Sequence, residues 1–352
     1  MSNTLRAGAL PPTRTSTLSA DTLLSVRNLQ THFFSREGAV KAVDGVSFDI
    51  KPGEILGIAG ESGCGKSVTS QSIMRILPKN GKIVGGEILF NHANQTIDLA
   101  TTEPEGRLMR AIRGKEIALI FQEPMTALSP VHTIGNQIIE TIRIHQPVSK
   151  GEAREQAIEM LHRVGMPNPG RNIDQYTFNL SGGMRQRAMV ALALSCRPKL
   201  LIADEPTTAV DVTIQAQILK LLREIQADLG MAIIMITHDL GVIAELTERV
   251  MIMYLGKEVE YGTVADIFHR PQHPYTRGLL ASIPKMEPGR VAINPIEGSV
   301  PSPYAMPAGC KFHPRCPDFI AGVCERHDPP LTEIAPGHQV SCFLYGGREV
   351  QP

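Results

Sequence analysis

Residues 55–77, ILGIAGESGCGKSVTSQSIMRIL, hold three textures in series. ILGIAG is a short, continuous apolar run, the pattern of a strand buried on both faces. GESGCGKS, residues 60–67, fits the spacing G-x-x-x-x-G-K-S/T. Beyond it Val68, Ile73, Ile76 and Leu77 recur at helical spacing. Strand, glycine-rich loop and helix in this order are what a phosphate-binding loop requires. Gly60, Gly63 and Gly65 permit backbone turns that aim the N–H groups from Glu61 and Ser62 through Cys64 to Val68 at phosphate oxygens, and the helix start adds the positive end of its dipole. Lys66 is placed to reach the β- and γ-phosphates and Ser67 to ligate Mg²⁺, while Cys64 reads as bystander packing.

Outward from this loop, other apolar strands end on polar groups. KLLIADE, residues 199–205, delivers Asp204 and Glu205 at its end. Beside a phosphate loop the two carboxylates divide two jobs, Asp204 holding hydrated Mg²⁺ and Glu205 orienting or deprotonating the attacking water. MAIIMITHD, residues 231–239, ends in His238, and in an open parallel sheet the ligand crevice lies outside such carboxyl ends. His238 is therefore expected to touch the γ-phosphate. Gln122 follows the run IALIF and suits a side chain reaching the metal or the water. LSGGMRQR, residues 180–187, sets Ser181, Gly182 and Gly183 at a helix start, a further dipole-assisted anion site.

Hydrophobic residues at 42% and charged residues at 20% of 352 exclude wholesale disorder, collagen and coiled coil. With 35 basic against 35 acidic residues there is no global field to recruit nucleic acid or an anionic membrane. No run approaches the roughly 18 apolar residues of a bilayer span and no signal peptide is recognisable, so an intracellular location is expected. Residues 1–22 read as a flexible leader. LLSVRNLQTHFF and VKAVDGVSFDI alternate as half-buried antiparallel strands, about 123–195 reads as a helical insertion, and strands and helices alternate again to about 262. Residues 263–352, rich in Pro, Gly and His, read as a separate appendage. It holds Cys310, Cys316, Cys324 and Cys342. In a reducing compartment four close thiols favour metal over disulfides. Zinc, an iron–sulfur cluster and four packed thiols without metal all stay open, with His313, His327 and His338 as substitute ligands.

GESGCGKS, Gln122, LSGGMRQR, KLLIADE, the turn through Asp211 and His238 occur in the order and spacing of an ABC-transporter ATPase subunit, and LSGGM is the signature that sets these ATPases apart. The resemblance implies, over 23–262, an α/β P-loop NTPase (RecA-like) core with an antiparallel β-subdomain and a helical signature subdomain, plus a small Cys-rich C-terminal extension. It further implies a head-to-tail dimer in which Ser181, Gly182 and Gly183 of one subunit cover ATP on the other, with Asp211 nearby. Phe33 looks like the aromatic stacking on adenine, Phe34 being the alternative. FQEPMTALSP, RPQHPYTRGLLASIP and GCKFHPRCP narrow the resemblance to the oligopeptide/dipeptide importer branch. That branch implies ATP and Mg²⁺ as cofactors, a 4Fe-4S cluster on the four cysteines, a related second ATPase subunit, two membrane permeases and an extracytoplasmic solute-binding protein, with no nucleic acid. The chain would then sit on the cytoplasmic face of the cell membrane. Its solute would be a peptide, with nickel, glutathione, opines or oligosaccharides as alternatives. QYTFN before the signature and Val210 before Asp211 depart from the pattern, but no reacting group is lost. A soluble ABC protein acting on ribosomes or DNA is the reading from another class. A single cassette, a short insertion and zero net charge weigh against it.

Overall fold

A computed structural model describes residues 17–19, 21–122, 127–207, 212–283, 285–287, 290–292 and 295–346. Strands β1 (Leu24–Ser35), β2 (Gly38–Ile50), β3 (Ile55–Ala59), β4 (Gly81–His92), β5 (Gln95–Asp98) and β6 (Ile117–Ile120) come first, with helices α1 (Lys66–Met74) and α2 (Arg107–Ile112) among them. Helices α3 (Ile134–His145), α4 (Lys150–Arg163), α5 (Pro169–Asn172) and α6 (Gly182–Leu194) follow without an intervening strand among the described residues, as the helical texture predicts. Alternation resumes with β7 (Leu200–Asp204), α7 (Val212–Leu229), β8 (Ala232–Thr237), α8 (Leu240–Leu246), β9 (Arg249–Tyr254) and β10 (Lys257–Thr263). The remainder carries α9 (Val264–His269), α10 (Pro274–Ala281) and short strands β11 (Lys285–Glu287), β12 (Arg290–Ala292), β13 (Leu331–Ala335) and β14 (His338–Ser341).

One sheet is antiparallel, in the order β2-β1-β4-β5, and the other runs β13-β14-β10-β9-β3-β8-β7-β6. In the larger sheet β9, β3, β8, β7 and β6 are mutually parallel. The period-2 geometry of strands sorts their side chains into two cores. Ile55, Ala59, Leu201, Ala203, Ile233 and Met235 face the helices α3, α4, α6 and α7. Leu56, Ile58, Leu200, Ile202, Ile234 and Ile236 face β1, β2, β4, α1 and α2. A parallel sheet covered on both faces explains why these strands read as unbroken apolar runs. In α4 the apolar set Ala157, Met160 and Leu161, with Val164 at its C-cap, is buried as its spacing predicts. A capping box on Ser149 starts that helix, and Gly165 at φ 70° lies just beyond its end.

Helix α1 is shorter than its apolar pattern suggests. It stops at Met74, where Arg75 turns left-handed at φ 55° and returns its N–H to Gln71 and Ser72 carbonyls, so Ile76 and Leu77 lie beyond it. The appendage differs more sharply from expectation, since it is fused to the core sheet. Strand β14 pairs antiparallel with β10 through Glu260↔Val340 and Tyr261↔Gln339. The fully buried Glu260 carboxylate fastens the junction, accepting from the backbone N–H of Gln272 at 2.8 Å and of His273 at 2.9 Å and meeting His338 Nε2 at 2.8 Å. Periodicity could not show this. Strand β14 has only 4 residues, and its partner lies some 80 positions away.

Candidate active site

Strand β3 ends at Ala59, and the loop Gly60–Gly65 turns the chain into α1. Two of its glycines are dictated by space as well as by angle. A Cβ on Gly60 (φ 152°) would lie 2.2 Å from the Met253 carbonyl oxygen, and one on Gly65 (φ 104°) 2.3 Å from that of Ala42. Lys66 is buried and folds back across the loop, donating from Nζ to the Gly60 carbonyl at 2.7 Å and to the Glu61 carbonyl at 3.1 Å. Cys64 packs in the core, and burial raises its thiol pKa against the pull of Lys66. Ser62 and Gly63 are exposed at the tip, and Val68 is half-buried against the β-subdomain core.

Parallel register brings the ends of β7 and β8 to the same edge, with Asp204 beside Ile236 and Ala59 beside Thr237. Asp204 accepts from Ser67 Oγ at 3.0 Å and from Ser70 Oγ at 3.1 Å. Burial pushes this carboxyl up in pKa, while the two hydroxyls draw it back. A desolvated carboxylate beside the Ser67 hydroxyl is a donor set that suits a hard divalent cation. Ser70 was not singled out from sequence, although its position one helical turn after Ser67 puts it on the same face.

Glu205 follows in the left-handed region at φ 49°, its N–H bonded to the Ile236 carbonyl at 2.8 Å. This non-glycine residue in the left-handed region holds a strained conformation of the kind that collects at working sites. Gln122 Nε2 donates to Glu205 Oε2 at 2.9 Å, and His238 Nδ1 stands 3.3 Å from Glu205 Oε1. Two residues at the ends of separate strands, Gln122 and His238, thus converge on the Glu205 carboxylate.

Ser181 caps α6, accepting from the Met184 N–H at 3.3 Å, and a Cβ on Gly183 would meet Ile214 at 3.2 Å. Among the described residues no hydrogen bond joins Ser181, Gly182 or Gly183 to the phosphate loop of the same chain. The signature helix is tied instead to the β7 exit, where buried Gln186 donates through Nε2 to the Pro206 carbonyl. Phe33 is half-buried over Gly81, whereas Phe34 presents a more exposed ring with Lys82 Nζ 5.9 Å from its centroid. Asp211 lies outside the described residues.

The four clustered cysteines share one part of the extension. The Cys310 N–H donates to the Cys324 carbonyl at 2.8 Å, and the thiols influence one another electrostatically. Burial pushes Cys310 up to about 11 and Cys316 to about 12, the values of protonated thiols. Among the described residues no group of three or more His, Cys, Asp or Glu side chains is arranged to hold a metal ion. The extension also reaches the phosphate loop, contrary to expectation, because Arg315, next to Cys316, forks onto Glu61. Among the described residues no helix is long and apolar enough to cross a membrane.

Comparison with known proteins agrees with this geometry. Residues 43–208 match the ABC transporter family, and residues 259–324 match the oligopeptide/dipeptide transporter C-terminal region. A probable peptide ABC transporter ATP-binding protein of Sinorhizobium fredii is 53% identical, over 92% of this chain and 95% of its own length. The dipeptide transport ATP-binding protein DppD of Bacillus subtilis is 50% identical, over 93% and 96% respectively. Among solved structures, a dimeric ATP-binding cassette in a post-hydrolysis state with ADP and Pi superposes with a TM-score of 0.60 at 26% identity, covering 69% of this chain and 99% of that one. A phosphate loop, a carboxylate pair at the sheet edge, a capped signature helix and this likeness over nearly the whole length lead to one assignment: the chain belongs to the ATP-binding subunits of peptide importers in the ABC transporter family, whose work is transport-coupled ATP hydrolysis.

Proposed function

We propose that this subunit hydrolyses ATP at the edge where β3, β7 and β8 end, with Glu205 as the base that activates water. The observation that carries the reading is the convergence of Gln122 and His238 on Glu205 beside the Ser67–Asp204 pair. In this reading Lys66 exchanges its loop carbonyls for β- and γ-phosphate oxygens, and Phe33 or Phe34 stacks on adenine. Ser67, Asp204 and Gln122 would hold Mg²⁺, which when bound neutralises charge on the β- and γ-phosphates. His238 contacts the γ-phosphate and restrains Glu205, while Gln122 relays its loss to the helical subdomain. Two ATPase subunits, this one and a related chain, pair head to tail so that Ser181, Gly182 and Gly183 of one cover the ATP of the other, with Asp211 close by. Because ATP touches both subunits, it closes the pair, and hydrolysis releases it.

Two permease subunits dock on the helical subdomain, where Val131, Ile144, Tyr176 and Phe178 are exposed and the last two rings stack at 5.4 Å. An extracytoplasmic binding protein delivers di- or oligopeptides, and the assembly sits on the cytoplasmic face of the membrane. A 4Fe-4S cluster on Cys310, Cys316, Cys324 and Cys342 stays a proposal supported by the four-thiol set alone. Iron with acid-labile sulfide in anaerobically purified protein is the expected result, and zinc without sulfide would end it. The transport reading is tested by uptake of a labelled peptide mixture in the native host. Glu205→Gln should abolish uptake with the complex still assembled. Unchanged uptake would remove peptides as the solute and turn attention to nickel, opines or oligosaccharides.

A further inference from the structure

Glu61, the second residue of the phosphate loop, is held by the C-terminal extension through two of its polar groups. Its backbone N–H donates to the Tyr275 hydroxyl at 2.9 Å, so it is turned to the extension and not, as the loop pattern predicts, to a phosphate oxygen. Its carboxylate receives both arms of Arg315, Nη1 to Oε2 at 2.8 Å and Nη2 to Oε1 at 3.2 Å. Its carbonyl, in turn, takes the Lys66 ammonium at 3.1 Å. The contacts span 214 and 254 positions of sequence, so they are products of the fold and not of local turn chemistry.

The gripping side is rigid. The Arg315 side chain is 4% exposed, and Tyr254, Tyr275 and Phe312 around it are all but fully buried. The guanidinium carbon stands 5.9 Å from the ring centroids of both Tyr254 and Phe312. Nε is spent on the Glu297 carbonyl at 3.1 Å, which fixes the plane of the fork. The three rings lock one another, with centroids 4.7 Å apart for Tyr254 and Tyr275 and 5.4 Å for Tyr275 and Phe312. Burial opposes the guanidinium charge, but the bonds and charge of Glu61 outweigh it and hold the Arg315 pKa above the ordinary arginine value. A bidentate, largely desolvated arginine–carboxylate pair is directional as well as strong.

We propose that Arg315 and Tyr275 are positioning residues for ATP binding: the extension sets the path of the phosphate loop at Glu61, the loop from which Lys66 reaches ATP. The inference rests on Gly60–Ser67 being the ATP site. It gives the extension a part in the ATPase cycle of its own subunit. Any rearrangement around Cys316, the next residue in the chain, reaches the loop through one peptide bond and one side chain.

The test is steady-state hydrolysis and equilibrium ATP binding by the full-length subunit. Tyr275→Phe keeps the ring packing and deletes only the hydroxyl, leaving the Glu61 N–H unpaired. Arg315→Met keeps the length and deletes the fork, Arg315→Lys keeps the charge without the fork, and Glu61→Gln weakens the pair from the other side. The expected result is a KM and a Kd for ATP raised about tenfold in Arg315→Met and several-fold in Tyr275→Phe, with kcat within about threefold of wild type. Arg315→Lys should rescue only part of the loss. Glu61→Gln combined with Arg315→Met should be no worse than Arg315→Met alone, since both break one contact. An ATP affinity within twofold of wild type in Tyr275→Phe and Arg315→Lys overturns the proposal even if Arg315→Met fails to fold. So does additivity of the Glu61 and Arg315 effects. Wild-type protein that binds no ATP would instead overturn the site assignment itself.

Discussion

Replacing Glu205 by Gln separates holding ATP from cleaving it. The amide has the size of the carboxylate, and its oxygen can still accept from Gln122, 2.9 Å away, so the local geometry survives. What disappears is basicity at the carboxylate that faces Gln122 and His238, on a residue held in the left-handed region. A positioned general base contributes about 10²- to 10⁴-fold, which corresponds to about 3 to 5 kcal/mol of barrier. The loop glycines, Lys66 and the Ser67–Asp204 pair are untouched, and removing a negative charge beside a triphosphate cannot weaken its binding electrostatically. Single-turnover hydrolysis should therefore fall by two to four orders of magnitude while the equilibrium Kd for ATP stays equal or tightens. Hydrolysis within tenfold of wild type, in protein with an unchanged melting temperature, would refute Glu205 as the base.

Three further outcomes follow from particular contacts. Gly65→Ala forces a Cβ to 2.3 Å from the Ala42 carbonyl oxygen, whereas Gly63→Ala meets nothing within 4 Å. The first should abolish ATP binding and depress thermal stability. The second should cost only the left-handed strain of about 1–2 kcal/mol, and equal effects in a melting experiment would contradict the geometry. Phe312→Ala empties the centre of the Tyr254–Tyr275 cage and should cost about 3–5 kcal/mol, read as faster amide exchange in α10 and at the Tyr254 end of β9, and unchanged exchange there would contradict the packing. His273 is fully buried, its Nδ1 accepting from the Tyr275 N–H, and burial lowers its pKa to about 3. Between that value and the ordinary 6.5 the unfolded chain binds a proton that the folded chain does not. Taken by itself, His273 should thus lower stability by about 1.4 kcal/mol for each pH unit below about 6.5, against the opposite slope of Glu258, whose burial raises its pKa to about 7. His273→Asn, which still offers a helix-capping oxygen, should remove the His273 contribution, so that stability falls less, or rises, towards acid in urea melts between pH 7 and pH 5; an unchanged pH dependence would remove His273 as a source.

Residues 55–67 and 199–205 carried the fold and much of the candidate site because their chemistry is local. A loop that turns on glycines, a lysine one step into a helix and carboxylates at the end of an apolar strand are each defined by neighbours in sequence. Parallel β-structure adds a simple rule, that strand ends share an edge, and it brought Glu205, Gln122 and His238 together as three separate strand readings implied. Ser70 escaped notice because serine one turn into a helix has no pattern of its own until Asp204 is seen opposite it. Gln186 escaped for the same reason, since its partner is a backbone carbonyl 20 residues away.

The extension marks the division most clearly. Its composition announced a loop-rich segment with four thiols, and sequence fixed nothing more about where it packs. Only the fold shows β14 completing the core sheet, Glu260 buried beneath His338, and Arg315 closing on Glu61 across 254 residues. Periodicity encodes which face of an element is apolar, and motif spacing encodes chemistry within a turn or two of chain. A salt bridge between distant segments leaves no periodic trace, because either partner alone looks like any surface charge. Its meaning arises when tertiary packing removes water from around both.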